Sequence, residues 1–88
     1  MDADELARIT GTLVTAIAEA KTRAKESGID PEFREIVRYA REMHDLLVEA
    51  MIANKAPSTE YYRGLSESAE NAIEHLEALA TMPDGRMQ

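Results

Sequence analysis

The sequence predicts an all-α fold, an antiparallel up-down-up three-helix bundle in one domain spanning residues 1–88. Three observations predict it. Apolar residues recur at steps of three or four in three long segments, two short breaks separate those segments, and no segment alternates with the period of two that marks a strand. Hydrophobic residues make up 44% of the 88 and charged residues 31%, a balance that favours one modest core over disorder.

The first segment, about residues 3 to 27, sets Leu6, Ile9, Leu13, Ile17, Ala20 and Ala24 on one stripe. It ends at Ser27-Gly28-Ile29-Asp30-Pro31. Gly28 can adopt the left-handed conformation that closes a helix, and Ile29 can cover the closed end. Asp30 is placed to cap the next helix, and Pro31 sits at its first position, where a missing N–H has no consequence. The second segment, about 31 to 55, aligns Phe33, Ile36, Val37, Ala40, Met43, Leu47 and Met51. Its flanks add Tyr39 and Leu46 on one side, and Val48 and Ile52 on the other. The break at Asn54-Lys55-Ala56-Pro57-Ser58 follows, with Ser58 or Thr59 as the next cap. The third segment, about 59 to 81, aligns Tyr62, Leu65, Ala69, Ala72, Ile73, Leu76 and Leu79 before a frayed tail over 82–88. Short links between helices of this length force neighbours to run antiparallel.

Two faces are left over after the core is assigned. On the first helix no residue from Ile9 to Ala18 is charged, and the face opposite the core stripe holds Gly11, Thr15, Ala18 and Thr22. A solvent face normally carries Lys and Glu. Small uncharged residues instead let another helix approach closely, so this face is expected to mediate self-association, most simply a homodimer. On the third helix Glu60, Glu67, Glu70, Glu74 and Glu77 recur at helical spacing, with Arg63 as the interruption. Like charges three and four apart destabilise a helix by about a few tenths of a kcal/mol each. The second helix balances its charges, with Arg38 before Glu42 and Arg41 before Asp45; the third is expected to leave its acids uncompensated and facing solvent. That line is a candidate docking surface for a protein with a basic surface, its carboxylates recurring about every 5 Å and so imitating the phosphates of a nucleic-acid backbone. The plainer reading is an acidic outer face that keeps the protein dispersed.

The net charge of −7 argues against nucleic acid or an anionic membrane as a direct ligand, since both are polyanions. Cysteine is absent, which removes disulfides and thiolate chemistry. No uncharged apolar run reaches bilayer-spanning length, and the start Met1-Asp2-Ala3-Asp4-Glu5 is acidic where a secretory leader is basic, so a cytoplasmic protein is expected.

No catalytic, metal or cofactor site is expected. His44 falls on the core stripe and should hydrogen-bond a neighbouring carbonyl or hydroxyl, with Tyr39, Tyr61 and Tyr62 as candidate partners. His75 lies on the outer side. Glu42-Met43-His44 and Glu74-His75 have the wrong spacing for a carboxylate-bridged metal pair. Ser66 and Ser68 show no base beside them. The pairs Glu32-x-x-Glu35 and Glu42-x-x-Asp45 resemble the acidic motifs of MazG-type nucleotide pyrophosphohydrolases. Both pairs share one helix and alternate with Arg34, Arg38 and Arg41, which would neutralise a magnesium site. Small helical chorismate mutases are also similar in size and helix number, but they need inward cationic side chains on a long first helix; here Arg8 is followed by no charge until Glu19. The expectation is therefore a non-enzymatic interaction module: an adaptor or inhibitor of a basic, nucleic-acid-processing protein. The alternatives are a self-assembling structural subunit and a small enzyme with a site at the dimer interface near His44.

Overall fold

The computed structural model describes residues 3–54 and 59–81. They form three helices packed together, α1 (Ala3–Ser27), α2 (Pro31–Asn54) and α3 (Thr59–Ala80), with no strand among the described residues. The link around Pro57 and the tail from Met82 lie outside them.

The α1–α2 turn forms as its residues dictate. Gly28 has φ of 80°, a conformation that L side chains resist, and its N–H donates to the Ala24 carbonyl at 3.2 Å, closing α1. Ile29 is fully buried beneath the turn. Asp30 Oδ1 accepts from the Phe33 N–H at 2.7 Å, so the capping residue satisfies one of the free donors of the first turn of α2. That N–H, more than any other contact, holds the Asp30 carboxyl below the usual carboxylate range. Arg23 of α1 reaches Asp30 Oδ2 and Glu32, tying the last turn of α1 to the start of α2.

The core is continuous along the molecule. Leu6, Ile9, Leu13, Ile17 and Ala20 of α1 are buried together with Phe33, Val37, Ala40 and Leu47 of α2 and Ala69, Ile73 and Leu76 of α3. Ala24, Ile36, Met43, Met51, Tyr62, Leu65, Ala72 and Leu79 pack around them half-buried. Ala16 and Ala50 join the core beyond the expected stripes. Between α2 and α3 the polar contacts fix a register: Arg34 Nε donates to the Ala80 carbonyl at 2.9 Å, Arg41 reaches Glu77 and Glu70, and His44 meets Ser66. Arg34 thereby satisfies a carbonyl at the end of α3 that has no partner within the helix.

Candidate interaction surfaces

The five α3 glutamates do not share one environment. Glu60, Glu67 and Glu74 are exposed, whereas Glu70 and Glu77 are half-buried against α2. Arg41 grips that second pair. Its Nε and Nη2 donate to Glu77 at 3.0 and 2.9 Å, and its Nη1 donates to Glu70 Oε1 at 2.9 Å. This corrects the expectation of an uncompensated line of five: the compensation comes from the neighbouring helix. At 100° per residue Glu70 and Glu77 lie beside Ser66 and Ile73, at the edge that α2 covers, while Glu60 and Glu67 lie on the far side. The three that remain stand seven residues apart, a single row with a repeat of about 10.5 Å.

The clamp sets the local electrostatics. Hydrogen bonds donated to Glu77 and then to Glu70 hold the Arg41 guanidinium charged. In return, the Arg41 hydrogen bonds hold the Glu77 and Glu70 carboxyls below the usual carboxylate range. Glu74 goes the other way: sharing a hydrogen bond with Glu70, and feeling its charge, raises it. The lowered pair contributes stability that is present above the ordinary carboxylate range and is lost as pH falls through the lowered values. Glu74 has the opposite sign, because protonating it relieves repulsion. Arg41→Gln is therefore expected to lower stability at neutral pH, by less than about 1 kcal/mol because solvent screens a half-exposed pair. It should also flatten the decline between about pH 5 and pH 2. Thermal unfolding at neutral and acidic pH reads both; parallel pH profiles for wild type and variant would remove the clamp's role.

His44 is buried, as expected of its position, with 6% of its surface exposed. Its partner is not a tyrosine. Nε2 lies 2.9 Å from Ser66 Oγ and 3.1 Å from the Ser66 carbonyl oxygen. Tyr39 is exposed instead, and Tyr61 and Tyr62 stack edge to face with ring centroids 5.0 Å apart. Ser66 thus does have an imidazole beside it, contrary to the sequence expectation. With the proton on Nε2 the ring donates to Ser66; with it on Nδ1 the ring accepts from the Ser66 hydroxyl. Nδ1 is buried without a hydrogen-bond partner, 3.5 Å from Glu70 Oε1. His75 is exposed, and among the described residues no three histidine or acidic side chains gather in a metal-ligating group.

The outer face of α1 is open. Gly11, Thr15, Ala18 and Thr22 are all exposed, and so is Val14, at 49%. A Cβ built on Gly11 would meet nothing within 4 Å, so nothing inside the protomer requires glycine there. A mid-helix glycine is nonetheless about 1 kcal/mol less favourable than alanine. Two shallow grooves run along this face, one walled by Tyr39 of α2 and the other by Ile36. Val14 belongs to the surface that the sequence reading assigned to four small residues; its seven-residue spacing from Ala7 was the available signal.

No known protein family, curated protein or solved structure matches this chain.

Proposed function

We propose that this protein is a cytoplasmic, non-catalytic interaction module, an up-down-up three-helix bundle that docks a protein with a basic surface through α3 and pairs with a second copy of itself through α1. The observation that carries the first half is the segregation of charge. In α1 the acids Asp4, Glu5, Glu19 and Glu26 are matched by Arg8, Lys21, Arg23 and Lys25. In α3 Arg63 stands against five glutamates, and with Glu70 and Glu77 held by Arg41 the exposed row is Glu60, Glu67 and Glu74. Such a row attracts a basic surface over about a Debye length and fixes its register by spacing. An adaptor or inhibitor that covers a basic nucleic-acid-processing site is the role this fits.

The self-pairing half rests on the exposed Gly11–Val14–Ala18 face, whose own residues are uncharged and where a Cβ on Gly11 meets nothing within 4 Å. A structural role with the glutamates serving only solubility would need this surface alone.

Reversing Glu60, Glu67 and Glu74 together to lysine tests the acidic row. All three are exposed and none is bonded to Arg41, Glu74 touching the clamp only through its hydrogen bond with Glu70, so helicity measured by circular dichroism should survive while partner binding falls by at least about a hundredfold, each lost or reversed contact contributing about 1 kcal/mol. Binding that persists in the folded variant would assign the row to solubility.

A further inference from the structure

We propose that the second copy docks along the outer face of α1 in the reverse direction, so that Asp4 of each protomer meets the partner's Lys25. This rests on the self-pairing reading above and adds its orientation and register.

The charge pattern selects the direction. Asp4, Ala7, Gly11, Val14, Ala18 and Lys25 lie on one exposed line of α1, separated by steps of three and four with Lys21 completing the row. The line runs about 31 Å, with acid at its start and base at its end. A copy laid on it in the same direction sets Asp4 on Asp4 and Lys25 on Lys25. A reversed copy with its two-fold axis beside Val14 and Thr15 sets Asp4 against the partner's Lys25. Arg8 and Glu19 repeat the pattern. They flank the line on the same side, three turns apart, so in the reversed arrangement each lies beside the opposite charge on the other protomer. Helix dipoles add to the same preference.

The register also uses the glycine that nothing else uses. Gly11 stands opposite the partner's Ala18, the two smallest side chains of the seam together, where the backbones can approach closely. Space for that approach is open, because a Cβ on Gly11 meets nothing within 4 Å. The exposed Tyr39 ring borders the same groove as Gly11 and Thr15 and is covered when a second α1 lies there.

The chain contains no cysteine, so disulfide trapping reports orientation without background. Gly11→Cys protein mixed with Ala18→Cys protein should give a mixed cross-linked dimer on oxidation, and each alone should give little. In the reversed arrangement two copies of position 11 stand about 10.5 Å apart along the axis, beyond disulfide reach. Asp4→Cys mixed with Lys25→Cys, outside the small-residue centre, repeats the test where a side chain at Gly11 disturbs packing. Thr15→Lys, which places a charge beside the axis, should weaken the dimer by at least about tenfold. Sedimentation of the unmodified protein comes first. A monomer mass overturns self-pairing altogether. A dimer in which Gly11→Cys and Ala18→Cys each cross-link to themselves keeps self-pairing and overturns the reversed register. A dimer with the mixed product supports the proposal.

Discussion

Phe33→Ala is expected to destabilise the protein by about 3–5 kcal/mol. Phe33 has no exposed surface and sits one turn into α2, where the ring packs into the core shared with α1 and α3. Truncation removes apolar burial and leaves a void that closely packed helices fill only in part. The backbone N–H that donates to Asp30 Oδ1 survives the substitution, so the cap remains and the loss reports packing alone. Small domains have about 5–15 kcal/mol of stability in all, so this one change should move the urea midpoint far or abolish the folded baseline. Ile52→Ala is the matched control: Ile52 is 72% exposed, and its loss should stay within about 0.5 kcal/mol. A Phe33→Ala loss below about 1 kcal/mol would mean that the ring is not packed as described.

The second large effect is expected at His44. His44→Ala removes both a buried ring and its hydrogen bonding to Ser66, and the two losses together should reach about 2–4 kcal/mol. His44→Leu restores most of the volume without a donor. Its loss should be smaller, about 1 kcal/mol, because the Ser66 carbonyl keeps its helical environment and the Ser66 hydroxyl can turn to bond within α3. Chemical denaturation of the two variants separates packing from the polar link. Equal losses would show that the polar link between α2 and α3 dominates. A stabilising leucine would show that the histidine is retained for something other than stability.

What the sequence made legible was local. Gly28 and Asp30 act through backbone geometry or contacts within four residues, so the turn was readable from its own residues. The core stripes were legible for a similar reason: periodicity along one helix reports which face is apolar. The rotational setting of one helix against another is not written in either helix's periodicity. For that reason Arg41 was matched to Asp45 in its own helix, while in the fold it reaches across to Glu70 and Glu77. Ser66 was set aside as a serine without a base for the same reason, since its neighbour His44 is 22 residues away. A wheel drawn for α3 with α2 placed beside it separates Glu70 and Glu77 from Glu60 and Glu67, and with that separation the candidate surface becomes a row of three rather than a line of five.

The charged row and the α1 face lie on different helices, so each can be altered without the other. A variant with lysine at Glu60, Glu67 and Glu74 should lose its basic partner and keep its mass in solution; Thr15→Lys should do the reverse.

The measurement that bears most directly on the acidic row is affinity capture from the native host lysate at low and at high salt, with the retained proteins identified by mass spectrometry. A surface that works through exposed carboxylates should retain a basic protein at low salt and release it at high salt, because screening over about 10 Å at 0.1 M and about 3 Å at 1 M removes the attraction. A partner that is retained equally at both salts, or equally by the Glu60, Glu67 and Glu74 lysine variant, would contradict electrostatic docking through α3.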